Sequence, residues 1–397
     1  MNEYEIAVVG GGPIGCFVAG QLARQGRQVV VFEEHTTIGE PVHCAGLISQ
    51  RVLDIIRCPQ DEVVQNRIYG AIIHSPAGDL LTIGDDKVHA VVINRQKFDR
   101  HIAHNAQKAG TTLLLQHKLV TLTKQLPTLT LKVQHEDQQL LFRCNLLIGA
   151  DGAHSRVRAT FGFPTPGELL TGISAELSDA TLDPKYVHIY VGNKIAPGFF
   201  AWVIPTNTQG TNARIGLCIG KQHPRSLNHY FTTLLAEPLL RGTTVTKRFG
   251  GTIPLGPLKK TTDERIMLVG DAAAQVKPTS GGGLYPGLLC ATHCSNTAEE
   301  MFRNQCFDEE SVQRYHTSWT SDIGRELALG MRFRAVFTRL TDHQFDKYLK
   351  KLNKQKTLNI INAYGDIDYP SHLALPLLKT SPSLLTLAPT LLKRNNQ

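Results

Sequence analysis

The chain has 397 residues, of which 42% are hydrophobic and 19% charged, with 34 glycines and 20 prolines. This composition excludes disordered, collagen-like and disulfide-scaffold proteins, and the length predicts two or three domains at roughly 150 residues per domain. The 42 basic and 34 acidic residues give a net charge of +8, which favours phosphate-bearing cofactors or acidic lipid surfaces as partners. Because the basic residues are scattered, we expect no nucleic-acid binding.

The eight cysteines contain no CxxC pair, so we expect no structural zinc or iron–sulfur site and no other bound metal. The N-terminus lacks a basic region followed by an apolar stretch, and no window approaches the roughly 20 apolar residues that span a bilayer. We therefore expect a cytoplasmic protein with reduced thiols.

A strand, a helix and a second strand are predicted within the first 33 residues. The apolar run at 6–9 is typical of a buried parallel strand, and it enters the turn Gly10-Gly11-Gly12-Pro13-Ile14-Gly15. Apolar residues then recur at helical spacing, and a second apolar run at 29–32 ends at Glu33. This βαβ unit carries a G-x-G-x-x-G pattern and a following acidic residue, so it predicts a dinucleotide site.

Each residue type in this pattern has a physical reason. Gly10 permits a tight turn, Gly12 lets the backbone approach a pyrophosphate, and Gly15 lets the helix pack closely on the strand. The start of the helix supplies N–H groups to the phosphates, and Glu33 can accept hydrogen bonds from ribose hydroxyls. The pattern alone does not distinguish FAD from NAD.

Two later strands also end in an aspartate. The run at 146–149 leads to Asp151-Gly152, and the run at 266–269 leads to Gly270-Asp271 and then to a glycine-rich segment at 278–284. Glycines at the start of a helix let backbone N–H groups face an electron-rich ligand. Ordinary strand ends with turn residues would explain either element alone.

Four elements in this order resemble the single-component flavoprotein monooxygenases and their relatives. They are Gly10-x-Gly12-x-x-Gly15 with Glu33, Arg95-x-x-Phe98-Asp99, Asp151-Gly152 and Gly270-Asp271. The resemblance covers most of residues 1–330 and implies FAD, with Glu33 on the adenosine ribose, Arg95 near the pyrophosphate or ribityl chain, and Asp271 on the ribityl chain. The implied FAD-binding residues are Gly10, Gly12, Pro13, Ile14, Gly15, Glu33, Cys44, Ala45, Arg95, Leu119, Asp151, Asp271, Gly283 and Leu284. Only one nucleotide fingerprint is present, so no second domain for NAD(P)H is predicted.

Three stretches are similar to the geranylgeranyl reductase family within that superfamily. Residues 39–46 resemble its P-x-x-C segment beside the flavin, 197–205 its P-x-x-Y-x-W-x-F-P motif, and 279–288 its glycine-rich flavin segment. Phe200 and Ile204 depart from the motif, which removes a hydroxyl and an aromatic face from the lipid cavity. The resemblance implies hydrogenation of C=C bonds in a prenyl, geranylgeranyl-like chain on a lipid or other isoprenoid, with hydride from reduced flavin N5. Phe200, Trp202 and Tyr285 are the candidate substrate contacts.

Alkene reduction needs a hydride and a proton, so the site needs a donor in an apolar cavity. By the resemblance Cys44 is the candidate catalytic residue, either as that donor or in tuning the flavin, and His43 is a weaker candidate. A small buried thiol that only packs on the ring is the alternative for Cys44. The electron donor stays open between NAD(P)H, ferredoxin and a quinol.

Two other functions compete with the reductase. A flavin-dependent hydroxylase or halogenase of an aromatic or polyketide substrate is one, because Trp202-Val203-Ile204-Pro205 resembles part of the halogenase motif W-x-W-x-I-P. A flavin-binding protein without catalysis is the other.

We predict an α/β chain (α+β overall) with a Rossmann-like FAD-binding domain, an inserted antiparallel-sheet substrate domain and a helical C-terminal region. The FAD-binding domain comprises 1–51, 93–164 and 251–330, the substrate domain 52–92 and 165–250, and the helical region 331–397. Residues 373–394 combine Leu-Leu pairs with Lys379, Lys393 and Arg394, so they either rest on an anionic membrane, at its inner face, or cap the substrate cavity.

Overall fold

A computed structural model describes residues 2–221 and 223–380. Its strands, in chain order, are β1 Asn2–Val9, β2 Val29–Phe32, β3 Leu47–Ile48, β4 Val64–Ile68, β5 Gly70–His74, β6 Leu80–Gly84, β7 Ala90–Ile93, β8 Thr112–Leu114, β9 His117–Gln125, β10 Thr128–His135, β11 Gln138–Gly149, β12 Glu168–Ser178, β13 Tyr186–Val191, β14 Phe200–Pro205, β15 Ala213–Ile219, β16 Thr244–Leu255, β17 Thr262–Asp263 and β18 Ile266–Leu268. Its α-helices are α1 Pro13–Arg24, α2 Gln50–Ile56, α3 Gln60–Val63, α4 Arg95–Lys108, α5 Arg156–Thr160, α6 Leu227–Leu235, α7 Leu284–Asn304, α8 Glu309–Trp319, α9 Arg325–Phe337, α10 Asp342–Leu352, α11 Gln355–Tyr364 and α12 Ser371–Thr380.

The first sheet is the predicted parallel one. Its order is β17-β18-β11-β1-β2-β8, and the four inner pairings from β18 to β8 run parallel. The strands carry continuous apolar runs because both faces are covered. Helices α1, α4 and α7 pack on one face, and side chains of β9 and β10 pack on the other. The antiparallel strands β9 and β10 also extend the sheet from β11. The carboxyl ends of β1, β2, β11 and β18 therefore meet at one edge, where the predicted glycines and acidic residues follow.

The second sheet has the order β16-β12-β15-β14-β13-β5-β6. Its neighbours run antiparallel except β13 and β5, which run parallel. The β5–β6 hairpin comes from a distant segment of the chain and pairs with β13 through β5. Helix α6 packs on one face of this sheet, and the other face meets the first unit and the C-terminal helices. Strands β12 and β16 pair along their whole length, from Glu168 opposite Leu255 to Ser178 opposite Thr244.

A small third sheet, β3-β7-β4, lies where the two larger units meet. The sequence-based prediction assigns residues 52–92 to an antiparallel-sheet domain, but 52–56 and 60–63 are helical and lie in α2 and α3. Val52, Leu53 and Ile56 share one face of α2 and pack into the core beside α7, so tertiary packing selects the helix.

The domain boundaries stay a prediction, with 70–84 and 168–255 in the second sheet and α9 to α12 in the C-terminal region. Of the predicted segment 373–394, residues 381–394, including Lys393 and Arg394, lie outside the described residues. The described part belongs to α12, on which Leu375 is 62% exposed.

Candidate active site

The glycine-rich turn after β1 has the geometry that its sequence predicts. Gly10 has a φ of +104°, and a Cβ there would lie 2.3 Å from the carbonyl oxygen of Ala150. A Cβ on Gly15 would lie 2.0 Å from the carbonyl oxygen of Gly10, so close packing of α1 on β1 requires glycine. Beside Gly12, in contrast, the space within 4 Å is open. The turn therefore leaves room for a ligand at Gly12, where Pro13 begins α1. The first turn of a helix leaves N–H groups without intrahelical partners, which favours an anionic ligand there.

Glu33 stands at the carboxyl end of β2, against this turn. Its Oε2 accepts a hydrogen bond from the Gly11 N–H at 2.8 Å, and its Oε1 accepts one from the His35 N–H at 2.9 Å. Strand β9 begins beside Glu33, because the His117 N–H donates to the Glu33 carbonyl oxygen at 2.8 Å. Leu119, two residues further along β9, is buried. A carboxylate held here is suited to the hydroxyls of an adenosine ribose.

Asp151 lies against the turn, but its carboxylate is used locally. Its oxygens accept from the Ser155 hydroxyl at 2.5 Å and from the Arg156 and Val157 N–H groups at 2.7 and 3.0 Å, so it caps α5. Burial raises the pKa of Asp151, and these hydrogen bonds oppose the shift. The structure thus gives Asp151 a part in shaping the start of α5.

Arg95, Cys44 and Asp271 converge although they come from three distant segments. Arg95 opens α4 and forms a double ion pair with Asp99, at 3.1 and 3.0 Å. Burial opposes a charged Arg95, yet the neighbouring Asp99 and the Cys44 thiol together raise its pKa. Burial raises the pKa of Asp271 to about 6, and the positive charge of Arg95 opposes that shift. Three groups predicted to contact FAD therefore form one polar cluster.

Ile14 and the glycine-rich segment close the cluster from the other side. A Cβ on Gly283 would lie 2.8 Å from Oδ1 of Asp271, and the Ile14 side chain fits against Gly270 and Gly287. Leu284 begins α7 directly after Gly283, so the helix start faces the same space. This cradle fits FAD: it has an open turn for phosphates, a carboxylate for a ribose and an aspartate for the ribityl chain.

The loop that carries Cys44 joins this cluster to the second sheet. His43 Nδ1 lies 2.5 Å from the carbonyl oxygen of Gly250 on β16, and the Gly46 N–H donates to Cys44 Sγ at 3.3 Å. Ala45 is partly buried and packs against the apolar cluster that contains Val92 and Ile204, as Trp202 also does. Cys44 is partly exposed and lies at the boundary between the polar cluster and the apolar sheet face.

Phe200 and Trp202 occupy alternate positions of β14, on the face opposite α6. Their rings meet edge to face with centroids 6.0 Å apart, and Ile253, Leu255 and Met331 pack with them. The Trp202 Nε1 atom is buried and has no hydrogen-bond partner within residues 2–221 and 223–380. Tyr285 instead packs in the core of the first unit, and its hydroxyl lies 2.9 Å from that of Tyr369.

Two features of the site were not predicted. Lys277 and Asp368, both buried, form an ion pair of 2.7 Å that ties the loop before α12 to the glycine-rich segment. Arg214 reaches from β15 to the Cys44 loop. In the sequence, Arg214 and Lys277 are visible only as charged residues within apolar runs, because the groups that they contact lie far away in the chain.

Comparisons with known proteins agree with this geometry. A family model described as an FAD binding domain matches residues 3–289. An uncharacterized protein of Methanocaldococcus jannaschii is 31% identical over 382 residues, 96% of each chain. The digeranylgeranylglycerophospholipid reductase of the same organism is 27% identical and covers 89% of this chain and 91% of its own. A geranylgeranyl bacteriochlorophyll reductase-like structure from Thermoplasma acidophilum superposes with a TM-score of 0.87 at 22% identity, covering 98% of this chain and all of that one.

Within the described part of the chain, no helix is long and apolar enough to cross a bilayer. Those residues also contain no group of three or more His, Cys, Asp or Glu side chains that could hold a metal ion.

Proposed function

Because the chain belongs to the geranylgeranyl reductase family of FAD-dependent oxidoreductases, we propose that it hydrogenates C=C bonds of a prenyl chain carried by a lipid or other isoprenoid. FAD-dependent reduction of prenyl chains is the general activity that the relatives support. The observation that carries the proposal for this chain is the position of the Cys44 thiol beside Arg95, while the next residue, Ala45, packs against the apolar cluster to which Ile204 of β14 belongs.

When bound, FAD would supply a hydride from N5 of its reduced ring to one alkene carbon. In our proposal the Cys44 S–H bond breaks and its proton goes to the other carbon, so the product gains two hydrogens while the flavin is oxidised. Arg95 lies beside the thiol, and its positive charge stabilises the thiolate that remains until a solvent proton restores it. The electrons for that hydride would come from a reductant of the NAD(P)H, ferredoxin or quinol class.

The apolar wall supports a long hydrocarbon substrate. Phe200 and Trp202 share one face of β14 with Ile204, and the C-terminal helices add Phe337, Phe345 and Leu349 to the same surface. Such a wall excludes water from the reacting alkene, which favours proton transfer from a side chain over transfer from solvent. Phe200 and Ile204 leave this wall without a hydroxyl.

We also propose peripheral contact with a membrane, from which the enzyme takes its substrate. Leu375 on α12 is 62% exposed, and Lys379 lies one turn further on. Leu80, on the edge strand β6 that packs against α10 and α11, is 52% exposed. An exposed apolar residue beside a basic one is typical of surfaces that rest on anionic lipid.

The test is reduction of a geranylgeranyl-bearing glycerophospholipid by the FAD-loaded protein, with dithionite as reductant and mass spectrometry of the product. Hydrogenation adds about two mass units per bond, whereas oxygenation adds about sixteen. We expect Cys44→Ala to lose at least about a hundredfold in rate, the size of a general-acid contribution, and Cys306→Ala, at a partly buried thiol between α7 and α8, to keep it. A product that gains oxygen, or a flavin that no donor reduces, would overturn the reductase proposal.

A further inference from the structure

Arg214 is a buried cation that the reaction scheme does not use. It lies in β15, where every residue is buried, and only 5% of its own surface is exposed. Its Nη1 donates to the carbonyl oxygens of Ile93 at 2.9 Å and Ala45 at 3.2 Å, and its Nη2 donates to Gln65 Oε1 at 2.8 Å. A guanidinium is always charged and has five donors in a rigid fork, so it can hold several acceptors in a fixed arrangement.

The two carbonyls belong to the segments that deliver the reacting cluster. Ala45 directly follows Cys44 in the chain. Ile93 ends β7, and the next residue, Asn94, caps α4 by accepting from the Lys97 N–H, so that Arg95 opens the helix. A single nitrogen of Arg214 therefore fixes the backbone just after Cys44 relative to the backbone just before Arg95.

Gly46 shows how close this approach is. It has a φ of +73°, and a Cβ there would lie 2.5 Å from Nη1 of Arg214 and 2.7 Å from the carbonyl oxygen of Ile93. The Ile93 N–H in turn donates to the Gly46 carbonyl at 2.8 Å. The loop, the end of β7 and the guanidinium thus form one connected arrangement, in which a side chain at position 46 would force them apart.

We propose that Arg214 is a positioning residue that sets the separation of the Cys44 thiol from the Arg95 guanidinium. Its hydrogen bonds to the Ala45 and Ile93 carbonyl oxygens connect the second sheet to the loop that carries Cys44. The catalytic consequence rests on the proposed function, because it concerns delivery of the Cys44 proton to the alkene. The conformation of the loop does not depend on that function and can be measured separately.

The experiment compares FAD-loaded Arg214→Met, which keeps the side chain's bulk but removes its donors, with Arg214→Lys and wild type. The rate of Cys44 alkylation by N-ethylmaleimide, followed by peptide mass spectrometry, reports the loop. The flavin absorption spectrum reports the ring environment. Arg265→Met is the matched control, since Arg265 also donates to a backbone carbonyl, that of Asn145 at 3.1 Å, but lies at the start of β18, away from the site edge.

In Arg214→Met we expect N-ethylmaleimide to alkylate Cys44 about tenfold faster than in wild type and the flavin absorption spectrum to shift. The variant's kcat should fall on the order of tenfold or more, with KM nearly unchanged. Arg214→Lys should recover part of each effect because an ammonium can still reach one carbonyl. Arg265→Met should match wild type in alkylation and spectrum. If Arg214→Met does not fold, Gly46→Ala, which drives the loop from the same guanidinium, should show the same changes.

Unchanged Cys44 alkylation and an unchanged spectrum in folded, FAD-loaded Arg214→Met, or in Gly46→Ala where Arg214→Met is unfolded, would overturn the positioning role. A wild-type enzyme that forms no hydrogenated lipid would instead overturn the proposed function. In that case the alkylation rates and the spectra still decide the role of Arg214.

Discussion

The ion pair between Lys277 and Asp368 gives the sharpest test of how the C-terminal region is attached. Asp368 is fully buried, and its Oδ1 lies 2.7 Å from Lys277 Nζ, which also donates to the Ile367 carbonyl at 2.8 Å. Arg51 reaches the other oxygen of Asp368 at 3.2 Å from a side chain that is 47% exposed. The two cations are therefore not equivalent, because only Lys277 is buried with the carboxylate.

Asp368→Asn keeps the shape of the side chain and removes its charge, which leaves the Lys277 ammonium buried without a counter-ion. Removing one partner of a buried pair costs about 3–5 kcal/mol, so we expect the free energy of unfolding of the apoprotein to fall by that amount. Lys277→Met should cost less, because Asp368 keeps Arg51. The double variant Lys277→Met/Asp368→Leu replaces both charges by apolar groups and should cost less than Asp368→Asn alone.

Urea unfolding followed by the fluorescence of the two tryptophans, Trp202 and Trp319, measures all four proteins. Adding Lys277→Met/Asp368→Asn to these proteins completes a double-mutant cycle, which isolates the coupling between the two side chains. A loss below about 1 kcal/mol in Asp368→Asn, a value typical of exposed pairs, would refute the argument that burial makes this pair costly to break.

Three further predictions concern the cofactor cradle. Asp271 keeps its proton to about pH 6 in the folded apoprotein but releases it near pH 4 when unfolded, so the free energy of unfolding should fall by up to about 3 kcal/mol as pH rises between these values. Asp271→Asn should remove this pH dependence, and an equal dependence in the variant would contradict the prediction. Glu33→Gln should raise the Kd for FAD at least about tenfold in a fluorescence titration but leave FMN binding unchanged, because FMN lacks the adenosine; equal losses for both would argue against a ribose contact. Gly12→Ala should weaken FAD binding and change the free energy of unfolding of the apoprotein by less than about 1 kcal/mol, whereas Gly15→Ala should lower that free energy by about 1–3 kcal/mol. A stability loss in Gly12→Ala and none in Gly15→Ala would refute the assignment of Gly12 to the ligand and Gly15 to helix packing.

The parts of the fold that the sequence predicts are those fixed by neighbouring residues. The first βαβ unit follows from an apolar run, three glycines and an acidic residue within 33 positions, and the structure reproduces each element. Helix α2 was missed because seven residues hold too little periodicity to separate a helix from a strand. The helix owes its conformation to packing on α7, which no local pattern encodes.

The candidate site divides in the same way. The meeting of Cys44, Arg95 and Asp271 was expected only from the resemblance to a known family. The use of the Asp151 carboxylate as a helix cap depends on a turn geometry that Asp-Gly alone does not specify. The pairs that no pattern indicated join distant residues: Arg214 is 169 positions from Ala45, and Lys277 is 91 from Asp368. Long-range contacts of this kind follow from the tertiary fold and leave only an isolated charge in the sequence.

The pairing of β12 with β16 has a consequence for how this architecture changes in evolution. Because Glu168 and Leu255 face each other, the segment from 168 to 255 enters and leaves the second sheet at one point, separately from the β5–β6 hairpin. The 88 residues from 168 to 255 therefore form a segment whose two ends are adjacent. Such a segment can be lengthened or exchanged without moving the strands of the cofactor cradle. A replacement must keep two features: first and last strands that pair with each other, and an edge like β13 that accepts β5 in parallel.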